Sequence, residues 1–157
     1  METKKYEKLF EREQTKIETE TKLRQDKKKA EADIIINFCN EELFNFLDYL
    51  QNTFYIRKHG VNHHVDGAVY TRDMVSNYSR KKSIEFIQSS GYFYTGIQHE
   101  WSNGGISDTV MVECVDFKPV FTYMGEKMTV EQFEEKVVAQ IQKTINHNSA
   151  GFQILNK

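Results

Sequence analysis

Two groups of residues have side chains that could do chemistry. His59, His63, His64 and Asp66 fall within eight residues, and imidazoles with a carboxylate form the donor set of a transition-metal site. Their spacing matches no ligand motif: no HExxH, no HxH and no cysteine partner. His63 and His64 are adjacent, and neighbours on a strand point to opposite faces, so only one of the two would serve. A solvated polar loop accounts for the cluster better, and no metal is expected. His99 and Glu100 form the second group, with Asp108 and Glu113 expected on the facing strand. Acid–base work needs a second group within hydrogen-bond reach. Outward-facing positions of a half-buried sheet explain these residues equally well. No catalytic residue, no enzyme and no cofactor is expected.

Asn103-Gly104-Gly105 lacks the spacing and the following Lys-Ser/Thr of a phosphate loop, and reads as a hairpin turn. Basic residues concentrate at Lys27–Lys29, at Arg57 and Lys58, and at Arg80, Lys81 and Lys82. Tyr55, Tyr70, Tyr78, Tyr92 and Tyr94 lie among them. Cations interleaved with aromatics suit a single nucleic-acid strand. The same residues are explained by solvated helix ends favourably placed on the helix dipole. Arg57, Lys58, Arg80, Lys81 and Lys82 are therefore the nucleic-acid candidates, as the alternative reading.

Cys39 and Cys114 stand apart with apolar neighbours and read as free thiols. Net charge is −2, with +2 over residues 1–31, −1 over 32–90 and −3 over 91–157. That gradient is too shallow for a protein bound mainly by phosphate contacts. No secretory signal and no apolar run of membrane-spanning length is expected, which points to a cytoplasmic protein of a bacterial host.

These residues must be positioned by a chain of 157 residues, 39% hydrophobic and 13% aromatic, about one domain in size. Residues 2–31 are helix formers without Gly or Pro. Their apolar positions are sparse, and the stripe from Phe10 through Ile17 meets Arg24 one heptad later, so a coiled coil fails. A projecting charged helix over 1–31 is expected, followed by a compact domain over 32–157. Residues 33–57 show three- and four-residue apolar steps, the pattern of a core helix, which has no breaker separating it from the first. A loop over 58–67 and a helix over 71–89 come next. Strands are expected at Tyr92–Trp101, Ile106–Phe117 and Val120–Met124. Thr129 with Gln132 marks a capping box opening a helix to about His147, and Phe152–Leu155 suits a last strand. The class is α+β, with an antiparallel sheet of three to four strands packed with the C-terminal helix.

Lys, Asn, Ile, Phe and Tyr usage, the single proline Pro119, the charged start Met1 to Lys5 and the run FTYMGEKMTVEQFEE from Phe121 to Glu135 give the chain a general character. In that character it resembles small accessory proteins of phages and mobile elements, such as the anti-CRISPR inhibitors. The resemblance implies a non-enzymatic inhibitor that binds a host protein, most plausibly a CRISPR effector nuclease. Independently, the sparse apolar residues of the first helix, Tyr6, Phe10 and Ile17, suit a partner contact or a homodimer. The acidic residues Glu113, Asp116, Glu126, Glu131, Glu134 and Glu135 could steer the chain to a basic surface.

Overall fold

The computed structural model describes residues 3–59, 69–76, 78–98, 107–146 and 152–154. The first two expected helices are continuous. Helix α1 (Thr3–Phe38) runs through a π-helical turn (Cys39–Leu43) into α2 (Phe44–Thr53). The reason lies in the apolar spacing. Ile35, Cys39, Leu43 and Leu47, all buried, recur every four residues, and each such step overshoots a turn of roughly 3.6 residues. A pure α-helix would rotate this stripe away from the core. The wider π turn, whose bonds span i to i+5, absorbs the drift, with the Phe44 N–H donating to the Cys39 carbonyl.

Burial changes abruptly along α1. Residues 4–30 are exposed, and Ala32 is the first buried side chain. Within residues 4–30 no ion pair falls within 4.0 Å. Instead, Gln14 donates to Glu18, and the hydroxyls of Thr15, Thr19 and Thr21 donate to the carbonyls four residues earlier.

Two expectations from periodicity are corrected. The core helix does not run to 57: it stops at Thr53, and β1 (Phe54–His59) begins at once. Phe54, Tyr55 and Ile56 are aromatic or β-branched, residue types that fit a pleated sheet; Phe54 pairs with β7, and Tyr55 and Ile56 pair on both sides. The stretch 71–89 is not one helix. Its first residues belong to β2 (Val69–Asp73), and α3 (Arg80–Ser90) starts only after Ser79, whose hydroxyl accepts the Lys82 N–H. Met74 and Val75 are buried by a strand-like contact in which Val75 bridges Ile97.

After α3 come β3 (Phe93–Gln98), β4 (Ser107–Val115), β5 (Lys118–Tyr123), the short β6 (Glu126–Lys127), α4 (Val130–Asn146) and β7 (Phe152–Ile154). Two antiparallel sheets result, ordered β3-β4-β5-β6 and β2-β1-β7. The second was not expected. It forms from segments far apart in sequence, with Ile56 opposite both Arg72 and Phe152. The expected order α-α-α-β-β-β-α-β therefore becomes α-α-β-β-α-β-β-β-β-α-β.

The core lies between the helices and one face of the four-stranded sheet. Val110 and Val112 of β4 and Phe121 and Tyr123 of β5 are buried, while Glu113 and Val115 point out. Two aromatics of α2, two residues apart and thus on opposite flanks, tie the layers together. Phe44 meets Phe93 at 5.4 Å and Tyr78 at 5.8 Å; Phe46 meets Phe133 of α4 at 5.7 Å. Phe133 also meets Phe121 at 5.3 Å and Tyr123 at 4.9 Å, both at steep angles between the ring planes. The capping box at the start of α4 is formed, with Thr129 Oγ1 accepting the Gln132 N–H and Gln132 Oε1 accepting the Thr129 N–H.

Candidate protein-binding surface

The exposed part of α1, residues 4–30, spans about 40 Å at 1.5 Å per residue. Tyr6, Leu9, Phe10, Ile17 and Leu23 are its exposed large apolar side chains, Phe10 being 65% exposed. Their directions decide what this arm can do. At roughly 100° per residue, Tyr6, Phe10 and Ile17 share one face. Carried down the helix, that face falls within about 60° of Ala32 and Ile35, which are buried against the body. The stripe is thus aligned with the core-facing seam farther down the helix. Glu13, Arg24 and Lys28 interrupt it, so it is a set of separate anchors.

A second apolar feature stands where the arm leaves the body, and sequence reasoning missed it. β4 and β5 are joined by the two residues Asp116 and Phe117, with φ of 52° and 59°, and Val115 pairs with Lys118. Positive φ at both central residues defines the type I′ turn that suits hairpin twist. Phe117 is 57% exposed and Val115 is also exposed. α1 packs on β4 and β5. The Cys114 thiol is pushed up by burial and by the nearby Glu31 and Asp116 charges, which places this turn beside the end of the arm. The available signal was Val115 at an outward position followed by an aromatic at a turn.

The acidic candidates do not gather into one patch. Asp116 sits in the turn before β5, Glu126 opens β6 opposite Tyr123, and Glu113 is on the solvent face of β4. Glu131, Glu134 and Glu135 lie on α4, which packs on the other face through Phe133. Asp116 shares the surroundings of Cys114 with Glu31 of α1. Glu134 is raised above the usual carboxylate range by partial burial and by the charges of Glu131 and Glu42.

The basic candidates separate too. Arg57 and Lys58 fall within β1, opposite Thr71 and Tyr70. Arg80, Lys81 and Lys82 occupy the first turn of α3. That corrects the expected dipole placement, because the N-terminus is the positive end of a helix. Arg80 is held by Asp48 and Asn45, leaving Lys81 and Lys82 exposed. His59 ends β1; His63, His64, Asp66, His99 and the turn 102–105 lie outside the described residues. Among the described residues no group of His, Cys, Asp and Glu is arranged to hold a metal, and no helix is long and apolar enough to cross a membrane. Cys39 and Cys114 are both free.

The chain matches no family model, no curated protein and no solved structure.

Proposed function

We propose that this protein is a non-catalytic binding protein that docks on a host protein and blocks it, with the α1 arm and the Val115–Phe117 turn as its contact surface. One observation carries the reading: the seam that packs α1 onto its own body continues onto an exposed arm as Tyr6, Phe10 and Ile17. A helix gains most of its stability from packing one face. An arm with spaced apolar anchors obtains that packing by lying in a groove of another protein. Its mixed charges keep it soluble when free, and Asp116 at its foot favours a basic rim on the partner. A CRISPR effector nuclease, the target to which the sequence resemblance points, has basic nucleic-acid channels that fit this description.

The arm meets a partner's groove better than a second copy of itself. Arg24 follows Ile17 at the next heptad position, so two such helices have no continuous apolar seam to share.

The test is capture of partners from a nuclease-treated host lysate, by the full chain and by Tyr6→Ala/Phe10→Ala/Ile17→Ala. The expected result is one stoichiometric protein that the triple variant fails to retain, and whose activity the wild-type chain inhibits in a purified assay. Equal retention by the triple variant, or partners that vanish on nuclease treatment, would refute the reading.

A further inference from the structure

The first turn of α3 carries charge of the wrong sign for its dipole. Arg80, Lys81 and Lys82 sit where the helix is already positive, with no acidic residue in that turn. Asp48 offsets Arg80. Lys81 and Lys82 are exposed and have no ion-pair partner among the described residues. The Ser79 hydroxyl takes the Lys82 N–H and the Ser79 carbonyl takes the Ser83 N–H. The N–H groups of Arg80 and Lys81, first in the helix, have no carbonyl a turn earlier to bond.

An independent feature adjoins this turn. α3 and β3 border a cleft of about 360 Å³ lined by Lys82, Ser83, Phe86, Phe93, Tyr94 and Thr95, among others. That volume is within the roughly 300–1,000 Å³ of small-ligand sites. Ser83 is only 9% exposed, lines the cleft, and its hydroxyl has no partner among the described residues. Thr95, by contrast, spends its hydroxyl on the Ser76 carbonyl at 3.0 Å. Its oxygen is open to the cleft and not sealed in the core, where Gln51 Oε1 is the fully buried side-chain oxygen without a partner among the described residues, so a ligand in the cleft can reach the Ser83 hydroxyl. Phe86 lies one turn from both Lys82 and Ser83 on α3, with the exposed Lys82 on its outer side and the buried Ser83 on its inner side. The Phe86 ring is held edge-on by Tyr92 at 5.2 Å, and Tyr94 is 51% exposed beside it.

We infer that this cleft binds a nucleobase with its attached phosphate. The phosphate sits at the first turn of α3, on Lys82 and the Ser83 hydroxyl, where dipole and charge both favour an anion. The base lies against Phe86 and Tyr94, since aromatic faces accept any base by stacking. Lys82 and Phe86 are about 6 Å apart along the helix axis, the reach of the sugar that joins the two groups. The overall charge of −2 argues for one such local unit over a long phosphate track. It comes either as a free mononucleotide or as part of a single strand. The inference stands independently of the arm and its partner.

The test is calorimetric titration of the full chain with AMP, a 5′-phosphorylated ten-nucleotide dT strand, adenosine, inorganic phosphate and phosphotyrosine. AMP or the strand should bind at least tenfold more tightly than adenosine, phosphate or phosphotyrosine. A strand that outbinds AMP tenfold identifies the single strand as the source; equal affinity identifies the mononucleotide. Lys82→Glu and Phe86→Ala/Tyr94→Ala should each weaken binding at least tenfold, and Ser83→Ala several-fold. Lys4→Glu/Lys5→Glu on the arm should change nothing. Lys82→Glu removes a misplaced cation, so its unfolding midpoint should hold or rise, which separates lost binding from lost folding. No binding of AMP or strand, tighter binding of phosphotyrosine, or undiminished binding by Lys82→Glu would overturn the inference.

Discussion

Tyr78 donates its hydroxyl to Asp48 Oδ1 at 2.7 Å, and Arg80 pairs with the other oxygen of the same carboxylate. One acidic residue of α2 therefore anchors the segment that leads into α3, thirty residues away in sequence. Tyr78→Phe should cost about 1 kcal/mol in urea unfolding, the usual net worth of one hydrogen bond. Asp48→Ala should cost about 2 kcal/mol, because it leaves the Tyr78 hydroxyl only its longer contact to the Phe44 carbonyl at 3.3 Å and frees a guanidinium. The double variant should cost less than the sum, because both changes break one network. Burial and the Asp48 interaction raise the Tyr78 hydroxyl above its ordinary value of 10.0. The unfolded chain then ionises first, so stability should fall as pH rises past that value.

Glu134 gives a pH dependence at the other end of the scale. Its carboxyl is raised from 4.5 by partial burial, then by Glu131 and Glu42. The folded chain holds this proton where the unfolded chain has lost it, so the site destabilises the fold as pH rises through 4.5 and above. Glu134→Gln should be as stable as wild type or slightly more stable at pH 7. Its advantage should vanish on acidification below 4.5. Paired urea titrations at the two pH values measure the difference.

Both effects rest on contacts that the sequence did not disclose, and the pattern of what it disclosed has a physical cause. Capping is local, so Thr129 and Gln132 revealed the start of α4 three residues at a time. Alternation is nearly local, so β4 was legible from Val110, Val112 and Cys114. The β2-β1-β7 sheet was not, because Ile56 finds Arg72 and Phe152 only through the closed fold. The break between β2 and α3 was hidden likewise: Met74 and Val75 have a helix-like spacing from Tyr78, yet β3 buries them. Of the proposed contact surface, Tyr6, Phe10 and Ile17 were visible as sparse apolar residues. Their alignment with the core seam needed the continuous helix, and the turn beside them needed the hairpin. Ser83 was unremarkable until α3 was placed against β3.

The π turn makes a prediction for thiol chemistry. Cys39 is fully buried and its thiol is pushed up to about 12 by burial, so the reactive thiolate is scarce at neutral pH. Cys114 is half-buried. A maleimide followed by mass spectrometry should label Cys114 first in the native protein. Cys39 should react only across the global unfolding transition in urea, because its neighbours Ile35, Leu43 and Phe44 are core residues. Labelling of Cys39 well below that transition would mean that the π turn opens locally.

Phe117 separates stability from function most directly. Its φ of 59° lies in the left-handed region, which costs a non-glycine residue about 1–2 kcal/mol. Its ring, being largely exposed, recovers little of that by packing. Glycine adopts this backbone freely and is the favoured residue in a type I′ turn, although it adds freedom to the unfolded chain. Phe117→Gly should therefore leave a fold at least as stable, by up to about 1 kcal/mol. A strained, exposed aromatic at the foot of the arm is the kind of feature that a binding surface retains at a stability cost. The same variant should hold its partner less tightly, and Phe117→Tyr, which keeps the ring, should hold it as well as wild type. Thermal unfolding and partner capture on these two variants check both halves. A Phe117→Gly protein that is less stable yet captures partner normally would assign the ring to the fold and remove it from the contact surface.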